Sequence, residues 1–471
     1  MPSNAKIDMQ QPSSIKISIV ALLFIIVFSY ATADFWQAWK KKTGTPFTWD
    51  VELYYSYLPA MFIHHDLSFK YDDKLPMQVL ENGNKNPKYT CGMAIMYAPF
   101  FYIGHQMAKY QNCKLDGLSE PYATAIHFGS IFYVILGLFF LRKISLQFYS
   151  ENITALLLII AYFGTNLFNY TLRDGEYSHG YLFCLVCIYT YLIITWHKQP
   201  KYSTSIFIGL LIGLITLIRP TDALFFIVFL LYGVKNKLDL KEKLHLFIVH
   251  KWKIAVIFIF GIIMLLPQII FWKIYTGHYV FFSYNQERFF FADPKIWEVL
   301  FSYRKGFFVY TPIMILSVLG VFFMKKRIQE FQFGTILFFV INLYIISSWW
   351  CWWYGGSFGM RALIETYPLL LLAMGAFFHH VFSVVSKSKI IDTIKKYGVI
   401  SFVIVCICLN MIQTYECKVG LMHYDSMNKE TYWQIFDEFD YESHEDYDQY
   451  IKSLTKIDYD KAMNGTDRED H

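Results

Sequence analysis

Residues 122–141, "YATAIHFGSIFYVILGLFFL", form a run of twenty without a single Asp, Glu, Lys or Arg. Arg142 and Lys143 follow the run directly. A helix of about 20 apolar residues spans the hydrocarbon core of a bilayer, which is roughly 30 Å thick. A basic pair just after such a run is typical of a cytoplasmic loop. The stretch therefore predicts a transmembrane helix whose C-terminal end faces the cytoplasm.

The rest of the chain repeats this pattern. Of its 471 residues, 55% are hydrophobic and only 17% are charged, with a mean hydropathy of +0.33, whereas soluble domains are about a quarter charged. We therefore predict an all-α polytopic membrane protein with about eleven transmembrane helices. The predicted spans are 15–33, 122–141, 153–172, 178–196, 204–218, 222–234, 254–273, 307–324, 332–349, 362–383 and 397–416.

Basic residues in the connections set the orientation of these spans. With the N-terminus in the cytoplasm, every inner connection is basic. These residues are Lys6, Lys16, Arg142, Lys143, Lys198, Lys201, Lys235, Lys237, Lys241, Lys243, Lys251, Lys253, Lys325, Lys326, Arg327, Lys387, Lys389, Lys395 and Lys396. We therefore predict a transmembrane domain over 1–416 with a large outer first loop at 34–121, and an outer acidic tail at 417–471. Because the tail is rich in tyrosine and has no long apolar run, we expect a small solvated appendage that is partly helical or disordered. The apolar stretch 91–110 within that loop predicts a helix lying at the membrane interface.

Two features limit the function classes. The chain has no basic arm and no nucleic-acid motif, so we expect no nucleic-acid partner, whereas membrane lipids are expected partners. The eight cysteines form no metal-binding pattern: Cys184 and Cys187 lie in an apolar run and are predicted core residues. Cys91 and Cys113 share the outer loop, where a disulfide between them is possible.

The first polar cluster follows the first span. Asp50 and Glu52 form a D-x-E pair there. Two carboxylates that converge can hold a divalent cation, or one can act as a general base while the other tunes it. The alternative is that both simply occupy the first turn of a helix, which acidic residues favour.

Two further clusters lie at predicted outer ends of spans. Arg173, Glu176 and His179 share the short turn between the third and fourth spans, either as binding groups or as part of a staple with Asp174. Arg219 interrupts an apolar sequence, so it needs either Asp222 or a bound anion as its partner.

The fourth and fifth clusters combine cations with aromatic rings. Arg288 and Arg304, the latter followed by Lys305, suit a lipid-linked phosphate or ordinary anionic headgroups. In "SSWWCWWYGGSFGMRALIETYPLLLL", residues 347–372, the rings of Trp352, Trp353 and Tyr354 belong either to an aromatic belt at the outer membrane boundary or to a surface on which a sugar can stack. Arg361 could fork onto a phosphate or pair with Glu365 one turn further along.

All five clusters are predicted to emerge on one outer face. The span centres, by contrast, are nearly free of charge. Charged groups within membrane segments are costly and mark functional sites, so we interpret the five clusters as one shared cavity.

Four stretches resemble the GT-C superfamily of polytopic glycosyltransferases. "WDVELYY" (49–55) resembles the acidic motif of that superfamily's first outer loop, and "GMAIMYAPFFYIG" (92–104) resembles its interfacial helix. "LFSYRKGFFVYTPIMIL" (300–316) and "WWYGGSFGMRALIETYPLLLL" (352–372) resemble bacterial members akin to protein mannosyltransferases and lipid A aminoarabinose transferases. In this sequence Val51 separates the two acids, which departs from branches with adjacent acids.

The resemblance implies transfer of a sugar from a polyprenyl-phosphate carrier to an acceptor glycan, lipid or protein, with inversion, on the periplasmic face of a bacterial inner membrane. It makes Asp50 the candidate base and Glu52 a group that orients the acceptor or helps to hold a divalent cation. Arg288, Arg304 or Arg361 would hold the leaving phosphate. The alternative functions are a transporter or flippase for a lipid-linked saccharide, and a scaffold whose acidic tail binds a partner.

Overall fold

The structure is a computed structural model. It describes residues 16–37, 44–71, 75–383, 388–436, 438–440, 444–466 and 468. Lys6 and Lys387, two of the residues used to set the orientation, lie outside the described residues. Residue 15 of the first predicted span and parts of the predicted first loop and tail do so as well.

The described chain is built from helices, as predicted. In chain order they are α1 (Ile17–Trp36), α2 (Trp49–Tyr55), α3 (Gly92–Tyr110), α4 (Glu120–Ser145), α5 (Glu151–Phe163), α6 (Ser178–Lys198), α7 (Tyr202–Ile218), α8 (Phe226–Leu231), α9 (Lys237–Val249), α10 (Lys251–Thr276), α11 (Ile296–Phe301), α12 (Ile315–Arg327), α13 (Gln329–Ser348), α14 (Tyr367–Ser383), α15 (Lys389–Val419), α16 (Lys429–Gln434), α17 (His444–Ser453) and α18 (Tyr459–Asn464).

Short elements connect these helices. One-turn helical pieces are Tyr57–Pro59, Asn169–Leu172 and Phe307–Tyr310, and a π-helical turn covers Ala60–His64. Turns of 3₁₀-helix cover Pro220–Phe225, Pro312–Met314 and Arg361–Thr366. The two strands, β1 (Gln78–Val79) and β2 (Lys85–Asn86), pair antiparallel in the first loop.

Seven helical segments among the described residues are long and apolar enough to cross a membrane: α1, α4, α6, α10, α13, α15, and α14 together with the 3₁₀ turn before it. The membrane class of the chain therefore agrees with the prediction. The other four predicted spans fall on shorter or interrupted helices. In the third predicted span the helix, α5, ends early, at Phe163, and the fifth predicted span is the 17-residue helix α7. In the sixth and eighth predicted spans, Pro220 and Pro312 each begin a 3₁₀ turn that interrupts the span. Eleven complete spans remain a prediction.

Exposure separates central helices from outer ones. Most residues in the most apolar part of α6 and of α14, the latter taken with the 3₁₀ turn before it, are buried. In the corresponding part of α10 only 17% of the residues are buried. The large side chains Phe258, Ile262 and Ile270 of α10 are more than half exposed. A helix that is apolar all round but exposed is suited to lipid, because water would penalise that surface.

Helix α7 reaches the core by packing tightly on α10. A Cβ atom added to Gly209 would lie 2.4 Å from the carbonyl oxygen of Ile257, and one added to Gly213 would lie 2.6 Å from that of Gly261. Glycines four residues apart let two helix backbones approach closely, as in small-xxx-small contacts. This packing brings Arg219, at the C-terminal end of α7, against the central helices.

The stretch predicted to lie at the membrane interface is helical. It is α3, a single 19-residue helix that keeps Pro99 in its interior. Tyr102 and Tyr110 are 64% and 88% exposed, as expected of rings at headgroup depth. Cys91 and Cys113 are both free thiols in the structure, so the possible disulfide is not formed there, whereas Cys184 and Cys187 are buried as predicted.

The acidic tail is partly helical, as predicted, but it is not a solvated appendage. Tyr432, Tyr450 and Met427 are buried in a small apolar cluster with Tyr310 and Phe358 of the main body. The tail is therefore held against the main body by buried aromatic side chains, although its surface is acidic. We call residues 349–357 the Trp loop; the tail packs against this loop.

Candidate functional site

Asp50 and Arg361 form the first half of the site. Asp50 lies in the first turn of α2, and Arg361 begins the 3₁₀ turn that follows the Trp loop. One Asp50 carboxylate oxygen is 3.1 Å from a terminal guanidinium nitrogen of Arg361. The other accepts a hydrogen bond of 2.7 Å from the Tyr89 hydroxyl. The Arg361 guanidinium also lies 5.2 Å from the centre of the Tyr177 ring, within cation–π range.

The second half is centred on Glu365, which is buried one turn after Arg361. One Glu365 oxygen lies 2.8 Å from Nδ1 of His179 and 2.9 Å from a terminal nitrogen of Arg219. Its other oxygen is buried and, within the described part of the chain, has no hydrogen-bond partner. The guanidinium of Arg219 covers the ring of Tyr354 at 5.3 Å. We call Glu365, His179 and Arg219 the Glu365 cluster.

The Tyr284 ring lies beside the first half of the site. It packs edge-on against the Tyr89 ring, with centroids 6.0 Å apart. Burial raises the pKa of Tyr284, and the charge of Asp50 raises it further, whereas Arg219 lowers it. Burial and Asp50 likewise raise the pKa of Tyr89 well above its ordinary value. Both phenols therefore stay protonated near neutral pH, and the Tyr89 hydroxyl donates a hydrogen bond to Asp50.

An open groove of about 580 Å³ adjoins this ring. It is lined by Tyr284, Asn285, Gln286, Glu287 and Met463. Glu287 is ion-paired with Lys88, so the positive charge of this lysine is already balanced. The groove thus offers amide and carboxylate groups beside an aromatic ring.

The Trp loop positions Tyr354 and Arg361 through an unusual backbone path. Tyr354 has φ of 59° and Gly355 has φ of 60°, so two successive residues are left-handed. Gly359, with φ of 59°, precedes Arg361 by two residues, and a Cβ atom there would lie 2.9 Å from Cβ of Tyr310. Left-handed geometry is costly for tyrosine, and such strain concentrates at functional sites. Gly355 and Gly359 are therefore needed for the left-handed backbone of this turn, a role that could not be predicted from the sequence alone.

The D-x-E pair does not converge. Asp50 and Glu52 both lie in the first turn of α2, as the alternative interpretation had it. Residues two apart on a helix point away from each other. Both Asp50 oxygens are already engaged, by Tyr89 and by the cationic Arg361. Among the described residues no group of three or more His, Cys, Asp or Glu side chains could hold a metal ion. The surroundings of Asp50 therefore do not fit a divalent cation.

Other predicted residues are paired elsewhere. Arg173 is ion-paired with its neighbour Asp174, as the staple interpretation had it. Glu176 is buried and lies 2.8 Å from Nδ1 of His127. Arg219 pairs with Glu365 rather than with Asp222, and Arg361 pairs with Asp50 rather than with Glu365.

The aromatic and basic residues nearest the tail form a separate group. Trp352 and Trp353 are almost fully buried, and the Arg304 guanidinium lies 4.9 Å from the centre of the Trp353 ring. Arg288 stacks on Phe290 and donates to the carbonyl of Asn464. No sugar can stack on rings so deeply buried unless the tail moves.

Tyr89, Tyr177 and Tyr284 belong to the site but were not predicted. No motif marks them, since each is one of 36 tyrosines. Glu365 was considered only as a partner of Arg361. The sequence matches no family model and no curated protein. The resemblance to the GT-C superfamily therefore stays a prediction.

Proposed function

We propose that this protein is a membrane glycosyltransferase that moves a sugar from a polyprenyl-phosphate carrier to an acceptor on the outer face of the membrane, with inversion. The observation that carries the proposal is the Asp50–Arg361 pair beside the Glu365 cluster and the groove. It brings a carboxylate base to one arginine, and it places a second arginine in the Glu365 cluster, whose glutamate follows in the same 3₁₀ turn as Arg361. Transfer from such a carrier needs just these two functions: a base for the acceptor and cations for the departing phosphate.

In this mechanism Asp50 takes the proton of the acceptor hydroxyl. The acceptor oxygen attacks the anomeric carbon from the face opposite the phosphate. The bond from that carbon to the phosphate oxygen breaks, and the electron pair leaves with the polyprenyl phosphate. Arg361 and Arg219 stabilise the charge that grows on the phosphate, because their planar guanidinium groups fit two of its oxygens.

The pairing of Arg361 with Asp50 also suggests an order of events. While they are paired, one oxygen of the base is occupied by Arg361 and the other by Tyr89. A donor phosphate competes for Arg361 and so frees one Asp50 oxygen for the acceptor. The base is thereby exposed only when the donor is bound, so the donor binds first and the acceptor second.

The groove is the proposed acceptor site. Its amides and carboxylate suit the hydroxyl groups of a sugar, and the Tyr284 ring offers an apolar face. The proposal places catalysis on the periplasmic side of a bacterial inner membrane, with membrane lipids surrounding the spans.

The experiment is complementation of a strain that lacks the protein. Mass analysis of its cell-envelope glycans, glycolipids and glycoproteins should show one missing sugar. Wild type should restore the sugar, and Asp50→Asn should reduce its incorporation by about 100- to 10,000-fold, the range of general-base catalysis. Glu52→Gln is the matched control and should keep most of the activity. Full incorporation by Asp50→Asn at equal expression would refute the proposal.

A further inference from the structure

The last described stretch of the chain is tied to the Trp loop. We call residues 459–466 and 468 the strap. Arg468, the last residue that the structure describes, is only 2% exposed. Such burial needs a reason, because charged residues are rarely fully buried unless paired.

Arg468 donates to the main chain of the Trp loop and to Asp293, whose carboxylate it also pairs with at 3.2 Å. Its terminal nitrogens lie 2.9 Å from the carbonyl oxygen of Trp349 and 2.7 Å from that of Asp293. Its Nε lies 3.3 Å from the carbonyl oxygen of Trp350. In return, the Trp352 indole donates to the Arg468 carbonyl at 3.0 Å. These bonds reach the point where α13 ends, at which helix carbonyls lack partners within the helix.

The strap has a second set of anchors. The Tyr459 ring packs against the rings of Trp350 and Trp353, with centroids 6.2 and 6.1 Å apart. Gly465 has φ of 82°, and a Cβ atom there would lie 2.4 Å from the Phe290 ring, so this turn favours glycine. The strap is thus fitted both to the Trp loop and to the segment near residue 290.

The Trp loop in turn carries residues of the site. Tyr354 lies beneath Arg219, and Arg361 follows seven residues later. Because the backbone at Tyr354 is left-handed and strained, it persists only if its surroundings hold it. The strap also supplies Met463 to the groove.

We propose that Arg468 is a positioning residue, and that the strap holds the Trp loop in the shape that places Tyr354 under Arg219 and closes one side of the groove. The effect on glycosyl transfer rests on the proposed function, whereas the effect on the Trp loop does not. A chain without its tail should therefore lose its site geometry as well as any partner-binding surface.

Cys351 is a native reporter of this arrangement. It lies in the Trp loop and is buried, and burial raises the pKa of its thiol to about 12. A maleimide should therefore modify Cys351 slowly in the purified full-length protein in detergent. Labelling of each cysteine is followed by peptide mass spectrometry over time.

Arg468→Ala should speed the labelling of Cys351 by about 10- to 100-fold, because several buried hydrogen bonds to a charged group are lost. Arg468→Lys should fall between Arg468→Ala and wild type, since an ammonium cannot reproduce the fork of a guanidinium. Lys452→Ala, which removes an exposed cation from the same tail, should match wild type.

Cys184 and Cys187 report on global unfolding because both are buried in α6. They should stay protected in every variant. If they react in Arg468→Ala, the Trp352→Phe change, which removes the bond to the Arg468 carbonyl and part of the indole ring but leaves Arg468 in place, decides by the same ratio of Cys351 to Cys184 labelling. Unchanged protection of Cys351 in a folded Arg468→Ala or Trp352→Phe variant would overturn the proposal. If the wild-type protein shows no sugar transfer, that counts against the proposed function, but the labelling result for Cys351 still tests whether Arg468 holds the Trp loop.

Discussion

Helices α4 and α6 connect two ends of the helix bundle, and the ion pairs at these two ends differ. At the site end, near His127 and His179, ion pairs join distant parts of the chain. Asp50 and Arg361 are 311 residues apart, and His179 and Glu365 are 186 apart. At the other end, which we call the lysine end, Arg142 pairs with Glu151 only nine residues away.

Burial sets the Glu365 cluster apart as well, whereas the Asp50–Arg361 pair, with side chains 27% and 12% exposed, resembles the pair at the lysine end. The Glu365 side chain is 2% exposed and that of its partner Arg219 is 16% exposed. Glu151 and Arg142 are 25% and 13% exposed. Partly solvated pairs contribute little to stability, whereas a buried charge depends on its partner. The difference indicates that the lysine end anchors helices at a surface, while the site end assembles a polar cluster that only the complete fold can hold.

The largest expected effect concerns the sidedness of the two ends. If the basic connections face the cytoplasm, Cys113 of the first loop should react with a membrane-impermeant maleimide applied to the outer face. A cysteine introduced as Lys241→Cys, on the exposed side of α9, should react only after the membrane is opened. Peptide mass spectrometry measures both. Modification of both residues under the same condition would remove the separation between the two ends.

The next effect is on stability. Glu365→Gln should leave Arg219 buried without its full counter-charge, which costs about 3 kcal/mol. Glu151→Gln should cost about 1 kcal/mol or less, because that pair is partly solvated. Thermal unfolding of the purified variants in detergent compares them. Equal shifts in the two midpoints would contradict the distinction in burial.

The smallest effect is a pH dependence at the lysine end. Lys243 of α9 is buried beside His197 and the Tyr232 carbonyl, and burial lowers its pKa to about 7. Between pH 7 and 10 the unfolded chain binds more protons at this lysine than the folded one, so stability rises with pH. Wild type should therefore gain stability relative to Lys243→Met over that range, as measured by thermal midpoints at each pH. Lys241→Met, an exposed neighbour, should show no such trend, and a flat difference for Lys243→Met would count against a lowered pKa for Lys243.

Much of the fold followed from the sequence. Runs of apolar residues predicted the positions of α1, α4, α6, α10, α13, α14 and α15, because a membrane-spanning helix satisfies its own backbone and needs only length and hydropathy. The broken helices were harder to predict. Pro220 and Pro312 lie within apolar sequence, and only packing decides whether the chain restarts as a 3₁₀ turn or continues as a helix.

The site was predicted by residue type but not by partner. Asp50, Arg361, Arg219 and His179 were singled out because charges near apolar spans are costly. Their partners were misjudged, since sequence spacing favours neighbours such as Asp222, whereas the structure pairs Arg219 with a carboxylate 146 residues away. The tyrosines around Asp50 carried no signal, because a tyrosine near a membrane surface is common without any function.

Local composition alone therefore determined the class of protein and the course of its long helices. It also marked the charged side chains that are costly to place near apolar spans. Each of these depends on the transfer of a residue or a short segment between water and an apolar phase. Only the tertiary structure decided that Asp50 meets Arg361, that Glu365 joins His179 to Arg219, and that Arg468 closes over the Trp loop. Those contacts depend on distances between segments far apart in the chain, which packing sets and which neighbouring residues cannot encode.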